Sequence, residues 1–271
     1  MEYHPSPAPA ERKMRVVVTG KGGVGKTTLT ALFAYGCARE GKTVLAVDGD
    51  PQQNLAATLG IPPDRLDRIV PLSDQKAYIA ERIGAGQERG GFMVLNPAIT
   101  DVVERFSVPV HDRIRLLVMG GVRNAGSGCL CPEYTLLAAI LRDAARLPAD
   151  VVLLDTPAGL EHFGRSIAQG FSTVLIVSTG SYNAMMVART LSRLARQCGI
   201  SERVLVLNRM PGASGVCGGI EIDDIDCTGM HLLPDDPLVS ACEPSVVPLI
   251  TQDTPVAQSV TELLRRIGGY R

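Results

Sequence analysis

The stretch Gly20-Lys21-Gly22-Gly23-Val24-Gly25-Lys26-Thr27 follows an apolar run and opens a helical pattern. It fits G-x-x-x-x-G-K-[ST], the phosphate-binding loop, in the strand-loop-helix context that this motif requires. Glycines let backbone N–H groups close around a polyphosphate, and the N-terminus of the next helix adds unpaired donors. We therefore expect nucleotide phosphates to be bound by Gly22, Gly23, Val24, Gly25, Lys26, Thr27 and Thr28. Lys26 should reach the terminal phosphates, and the Thr27 hydroxyl should hold Mg²⁺.

Continuous apolar runs, rather than alternating ones, predict strands that are buried on both faces of a parallel sheet. These runs are Arg15–Thr19, Thr43–Val47, Ile114–Val118, Val151–Leu154, Thr173–Val177 and Val204–Leu207. Helical patterns lie between most of them, and this alternation predicts an α/β fold with a doubly wound, mostly parallel sheet flanked by helices. In such a fold the ligand binds at the carboxyl ends of the strands.

Length and composition are those of a folded globular protein. The chain has 271 residues, 45% of them hydrophobic, and a formal net charge of -1. A net charge near zero gives no general attraction to nucleic acid or to anionic membranes, and we expect neither as a partner. Residues 1–13 lack the apolar core of a signal peptide, and no apolar run is long enough to span a bilayer. We expect a flexible tail at 1–13, a single P-loop ATPase domain at 14–271, and a cytoplasmic protein.

Carboxylates follow two of the predicted strands. Asp48 and Asp50 leave the second strand in the sequence Val47-Asp48-Gly49-Asp50-Pro51, and Asp155 leaves the run Val151–Leu154. Phosphoryl transfer mostly requires positioning, so we assign Asp50 to orienting the attacking water and Asp48 to support around the metal. Asp155 is expected to hold Mg²⁺ through water. The backbone N–H of Gly159 can approach the γ-phosphate and lose that contact on hydrolysis.

A candidate base site follows two later strand-like segments. Asn208 leaves the run Val204–Leu207, and its side-chain amide can pair with a purine edge because it both donates and accepts hydrogen bonds. Pro211 stands where guanine-selective proteins have an aspartate, so adenine is preferred. Pro234, after the strand-like segment His231–Leu233, is a candidate backbone contact for the base.

Two of the seven cysteines form a C-x-C pair, Cys129 and Cys131, just before Pro132 at the start of a helical pattern. A helix N-terminus lowers the pKa of a thiol, which favours the thiolate that binds metal. Zn²⁺ or Ni²⁺ with thiolate ligands requires about four ligands. A two-fold dimer would supply two cysteines from each chain.

The phosphate loop with its additional Lys21 resembles the deviant loop of the nitrogenase iron protein, MinD and ParA ATPases, which are SIMIBI-type P-loop NTPases. In that class the additional lysine reaches the nucleotide of the partner subunit. Over residues 14–271 the chain further resembles the CooC-type maturation ATPases of carbon monoxide dehydrogenase. That resemblance rests on Gly20–Thr28, Val47–Pro51, Gly91–Pro97, Cys129–Glu133 and Asp155–His162.

This resemblance implies a homodimer that forms in response to nucleotide, to metal or to both. It implies ATP/ADP and Mg²⁺ as cofactors, and Ni²⁺ or Zn²⁺ bound by Cys129 and Cys131. It also implies delivery of nickel to a client, a nickel-containing carbon monoxide dehydrogenase. Catalysis is then expected to involve Lys21, Lys26 and Asp50.

Two other classes of function stay open from the sequence. A MinD- or ParA-like positioning ATPase on membrane would need a free amphipathic tail. Val256, Val260, Leu263, Leu264 and Ile267 form one apolar stripe, although such a stripe more often packs on its own domain. The same class on DNA would need a basic patch. An iron-sulfur scaffold or electron donor is the third possibility.

Overall fold

The computed structural model describes residues 13–83, 99, 101–120, 132–158, 169–210, 216–217 and 219–268. The strands are β1 (Met14–Gly20), β2 (Val44–Asp48), β3 (Val108–His111), β4 (Ile114–Val118), β5 (Val151–Asp155), β6 (Thr173–Ser178), β7 (Glu202–Leu207), β8 (Val216–Cys217), β9 (Ile220–Glu221) and β10 (Gly229–Leu232). The α-helices are α1 (Lys26–Arg39), α2 (Leu55–Thr58), α3 (Pro63–Leu66), α4 (Lys76–Ile83), α5 (Val102–Phe106), α6 (Pro132–Arg142), α7 (Tyr182–Gln197), α8 (Pro237–Ala241), α9 (Val247–Thr251) and α10 (Pro255–Gly268). Short 3₁₀ helices span Leu72–Asp74, Ala144–Arg146 and Ile222–Asp224.

An eight-stranded sheet has the order β10-β7-β6-β1-β5-β2-β4-β3. Each neighbouring pair is parallel except β3 and β4, which are antiparallel. Strand β1 lies between β5 and β6, with Val18 beside Asp155 and Thr19 beside Ile176. The end of β1 therefore lies near the middle of the carboxyl edge of the sheet, where a ligand of a parallel sheet is expected.

The predicted fold class and all of the strands predicted from apolar runs are confirmed. Strands β1, β2, β5 and β6 are buried along their whole length, which is why their sequences do not alternate. Strand β3 was not predicted, because its short half-buried sequence carries Pro109 and exposed His111 at a sheet edge. The division into a tail and a single domain stays a prediction.

Helices cover both faces of the sheet, as a doubly wound fold requires. On one face, α4, α6 and α7 contribute Ile79, Leu137 and Leu191 to a buried cluster. On the other face, α1 and α10 contribute Phe33 and Leu263 to a second cluster.

Helix α10 accounts for the C-terminal apolar stripe. Val256, Val260, Leu263, Leu264 and Ile267 are all buried, and α10 packs against α1. Ion pairs between Arg39 and Asp253 and between Arg265 and Glu40 flank this contact. The stripe thus belongs to the core of its own chain. In the part of the chain that the structure describes, no helix is long and apolar enough to cross a membrane.

Candidate nucleotide-binding site

The phosphate loop connects the end of β1 to the start of α1. Gly25 caps the helix with φ of +97°, a conformation that favours glycine, and no side chain caps the first turn. The first intrahelical bond runs from Leu29 N to Gly25 O at 3.0 Å. The geometry of an α-helix leaves the N–H groups of Lys26, Thr27 and Thr28 without an intrahelical partner, so they are available to an anion.

A cleft of about 520 Å³ opens beside this loop. Most of its lining comes from loops that follow β1, β2, β5 and β7, so it lies at the carboxyl edge of the sheet, and Glu243 reaches it from the segment between α8 and α9. It includes Gly22, Gly23, Gly25, Lys26, Thr27, Thr28, Asp50, Gln52, Asn54, Pro157, Ala158, Arg209 and Glu243. All of the predicted phosphate-binding residues except buried Val24 thus share one cleft with Asp50.

Asp155 lies at the end of β5, directly against the loop. Its carboxylate accepts a hydrogen bond from Thr27 Oγ1 at 2.7 Å and a longer one from Thr30 Oγ1 at 3.4 Å. Burial raises the pKa of Asp155 to about 6, although the bond from Thr27 opposes that increase. The structure thus brings together the hydroxyl and the carboxylate that the sequence predicted to bind Mg²⁺.

Lys26 is only 8% exposed, and its Nζ donates to Lys21 O at 3.1 Å. Burial lowers the pKa of Lys26, while the carboxylates of Asp155 and Asp50 act in the opposite direction. Its ammonium group is thus held in the cleft by a bond to the loop backbone. Lys21 itself is exposed.

Asp48 and Asp50 differ in their surroundings. Asp48 is fully buried, and its two oxygens accept hydrogen bonds from Asp50 N and Leu55 N, each at 3.1 Å. Burial, and then the charge of Asp155, raise the pKa of Asp48 to about 7. Asp50 instead lines the cleft and accepts a bond from Gln52 N at 2.9 Å. Asp48 therefore organises the loop that presents Asp50, a task that sequence reasoning missed.

Asn208 contacts the phosphate loop directly. Its Nδ2 donates to Val24 O at 2.8 Å, and its Oδ1 accepts from Arg209 N at 3.0 Å. A Cβ on Gly25 would lie 2.5 Å from Nδ2, so glycine is needed there for the close approach as well as for its φ angle. Asn208 thus ties the end of β7 to the loop, which the sequence did not predict.

A small slot of about 40 Å³ adjoins the cleft and shares Gly25, Thr28 and Arg209 with it. Asn208 and Pro234 both line this slot, together with Asp235 and Asp236 of the same loop. The structure therefore brings the two predicted base-site residues together beside the phosphate loop. Their contact with an adenine ring stays a prediction.

The sequence model of the CobQ/CobB/MinD/ParA nucleotide-binding domain matches residues 15–216. The chain belongs to this family. The carbon monoxide dehydrogenase accessory protein CooC of Rhodospirillum rubrum is 39% identical over 213 residues, which cover 79% of this chain and 80% of CooC. The septum site-determining protein MinD of Helicobacter pylori is 26% identical, with 94% of this chain and 91% of MinD matched. The resemblance to CooC-type proteins is thereby confirmed.

Solved structures agree with the family assignment at the level of the fold. MinD of Pyrococcus horikoshii OT3, complexed with Mg-ADP, matches with a TM-score of 0.65 and 19% identity, over 94% of this chain and 95% of MinD. A MinC:MinD cell division complex from Aquifex aeolicus also gives a TM-score of 0.65, with 22% identity, over 95% of this chain and 97% of its matched chain.

Three predicted site residues of this CobQ/CobB/MinD/ParA-type domain lie outside the described residues: Gly159, Cys129 and Cys131. Helix α6 does begin at Pro132, as the sequence predicted. Within the described ranges, no group of three or more His, Cys, Asp or Glu side chains is arranged to hold a metal ion.

Sequence reasoning also missed several residues that line the cleft. Gln52 and Asn54 follow the loop of Asp50, Arg209 follows Asn208, and Glu243 lies between α8 and α9. None of these four residues was itself predicted. The role of Asp48 in its own loop did have a detectable signal, because an aspartate often accepts a bond from the backbone N–H two residues later.

Proposed function

We propose that this protein is an ATP-dependent maturation factor for a nickel-containing carbon monoxide dehydrogenase. The observation that carries the proposal is the coexistence of a deviant phosphate loop and a C-x-C pair in a chain that is 39% identical to CooC. The name of CooC, an accessory protein of carbon monoxide dehydrogenase, supplies the class of client. That this chain also acts on a carbon monoxide dehydrogenase is part of the proposal.

The first step that we infer is hydrolysis of ATP in the cleft. The loop N–H groups bind the phosphates, Lys26 offsets their charge, and Asp50 orients a water molecule. Water adds to the γ-phosphorus as the bond to ADP breaks, so the products are ADP and inorganic phosphate. Thr27 and, through water, Asp155 would hold Mg²⁺, which would supply positive charge to the phosphate oxygens.

The second step is closure of two subunits. Lys21 is exposed at the mouth of the loop, and in the closed dimer it contacts the partner's nucleotide. Gly159 binds the γ-phosphate through its N–H group and releases it on hydrolysis. ATP drives closure only if it binds the closed dimer more tightly than the open form. To change the ratio of closed to open protein from 1:99 to 99:1, the two binding free energies must differ by about 5.5 kcal/mol.

Closure brings together Cys129 and Cys131 of both subunits around one Ni²⁺ or Zn²⁺ ion, because four thiolates complete the coordination that two cannot. Reopening after hydrolysis separates the pairs and weakens the site. Nickel is then the cargo, and release to the client follows from the loss of two ligands.

A positioning ATPase is the second candidate, favoured by the similarity to MinD. Its membrane form requires a free amphipathic helix. The apolar stripe of α10 is buried against α1 and is not free to fill that role.

Replacing both Cys129 and Cys131 with serine is expected to abolish client maturation while leaving ATP hydrolysis within about threefold of wild type. Serine keeps the size of the side chain but not the soft thiolate that binds Ni²⁺ or Zn²⁺. The measurement is CO oxidation by a nickel carbon monoxide dehydrogenase produced with each variant at limiting nickel.

The matched control is the double variant Cys198→Ser with Cys242→Ser, since both of these thiols are half-buried and free of disulfides. It should support maturation as wild type does. Full client activity with the Cys129/Cys131 variant would refute the metal role and favour a client-remodelling or positioning ATPase.

A further inference from the structure

Arg209 lies where the cleft beside the phosphate loop meets the adjoining slot. Both cavities are lined by Gly25, Thr28 and Arg209. A nucleotide with its base in the slot and its terminal phosphates in the cleft must pass its sugar and its α-phosphate, the phosphate next to the sugar, between these residues. Gly25 has no side chain, and Thr28 offers an unpaired backbone N–H group in the first turn of α1. Arg209 is therefore the charged side chain at this junction.

The guanidinium of Arg209 is exposed and is not used elsewhere in the part of the chain that the structure describes. Among those residues, none forms a hydrogen bond, an ion pair or a ring contact with it, including Asp50 and Glu243, which line the same cleft. The other cation among the described lining residues is Lys26, which lies near the carboxylates of Asp155 and Asp50. Arg209 thus offers a positive charge and planar N–H donors that suit a phosphate group.

The backbone of Arg209 is held in a conformation that favours glycine. Its φ is +59°, which is unfavourable for a residue with a side chain. Asn208 Oδ1 accepts a hydrogen bond from Arg209 N at 3.0 Å and stabilises this turn. Asn208 Nδ2 donates to Val24 O at 2.8 Å, so the turn is also fixed to the phosphate loop. Strained residues of this kind cluster at ligand-binding sites.

We propose that Arg209 is a further nucleotide-binding residue, which contacts the α-phosphate and stabilises bound ATP and bound ADP alike. This inference rests on the proposed function, because that function requires ATP in the cleft. Lys26 is expected to reach the terminal phosphates, so its contribution should differ between ATP and ADP. Arg209 instead holds a phosphate that both nucleotides share, and it keeps ADP in the site after the γ-phosphate has left.

The test is equilibrium binding of Mg²⁺ with ADP, and of Mg²⁺ with a non-hydrolysable ATP analogue, measured by titration calorimetry. Arg209→Ala should weaken both by at least about tenfold, because hydrogen bonds between charged groups are strong. The ratio of the two affinities should stay within about twofold of the wild-type ratio, because the lost contact is common to both. Arg209→Lys keeps the charge without the planar donors and should lose less affinity than Arg209→Ala.

Arg209→Gly separates a lost contact from a damaged fold. Glycine is favoured at this φ, so the variant should unfold no more than about 2 °C below wild type when no nucleotide is present. It should nevertheless lose as much nucleotide affinity as Arg209→Ala. The matched control is Arg193→Ala, which changes an exposed arginine of α7 that lines neither the cleft nor the slot. Both affinities should be unchanged in this control.

The possible outcomes separate this inference from the proposed function. Wild type that binds neither nucleotide would overturn both. If wild type binds both nucleotides and the two Arg209 variants without a cation bind them as tightly, only the inference is overturned. Loss of affinity for the ATP analogue alone would place Arg209 at the terminal phosphates and would also overturn it. If Arg209→Ala does not fold, Arg209→Gly decides between these results.

Discussion

Replacing Lys26 with alanine should reduce ATP hydrolysis by at least about 100-fold and weaken ATP binding by more than about tenfold. Lys26 is the buried cation of the cleft, and its Nζ is fixed by Lys21 O at 3.1 Å. Without it, the phosphates and the nearby carboxylates of Asp155 and Asp50 lose the buried cation that offsets their charge. The measurements are phosphate release and equilibrium binding of a fluorescent ATP analogue.

Two further lysine variants make this result interpretable. Lys13→Ala changes an exposed lysine at the opposite edge of the sheet, and should leave both quantities unchanged. Lys21→Ala should keep ATP binding but lose hydrolysis, because in the proposed closed dimer Lys21 acts on the partner's nucleotide. Normal hydrolysis by Lys26→Ala would show that the cleft described above is not where ATP reacts.

Arg15→Met should lower the free energy of unfolding by about 3 to 5 kcal/mol. Arg15 is 3% exposed at the start of β1, opposite the nucleotide edge. Its guanidinium donates to the carbonyl oxygens of Ala144 (2.7 Å), Met14 (2.9 Å), Asp150 (3.0 Å), Ala149 (3.0 Å) and Leu147 (3.3 Å). Burial lowers the pKa of Arg15 to about 10, so it stays charged at neutral pH. Methionine fills most of the volume but leaves these buried acceptors without a donor.

Urea unfolding in the absence of nucleotide measures this effect. The matched control is Arg113→Met, since exposed Arg113 donates to one carbonyl oxygen, that of Gly41, at 2.9 Å. This control substitution should lower the free energy of unfolding by less than about 1 kcal/mol. If both variants lose the same small free energy of unfolding, the carbonyl oxygens around Arg15 must find other hydrogen-bond donors when the guanidinium is removed. Nucleotide affinity of the folded Arg15 variant should be unchanged.

Arg15 also illustrates how far the sequence predicts this fold. Its strand was predicted from the apolar residues that follow, but the reason for an arginine in a buried strand was not. The carbonyl oxygens that it binds come mainly from the turn before β5, more than a hundred positions away in the chain. The local sequence around Arg15 carries no information about acceptors so distant in the chain. A strand that is buried on both faces, in contrast, has a continuous apolar sequence, which is why β1 itself could be predicted.

The candidate site was predictable where one motif carries the chemistry. The phosphate loop and Asp155 lie together because their strands, β1 and β5, are neighbours in the sheet. The hydrogen bond between Thr27 and Asp155 follows from that neighbourhood. The bond from Asn208 to Val24 could not be predicted, because it depends on how closely β7 approaches the loop.

Metal content per chain is the most direct measurement of the proposed shared metal site. Anaerobically purified protein would be analysed for elements and sized by light scattering, with and without Mg²⁺ and a non-hydrolysable ATP analogue. We expect about one Ni²⁺ or Zn²⁺ per two chains, found in the dimer, as four shared thiolates require. A metal-free protein that still dimerises with the analogue would contradict nickel handling and leave only the nucleotide switch.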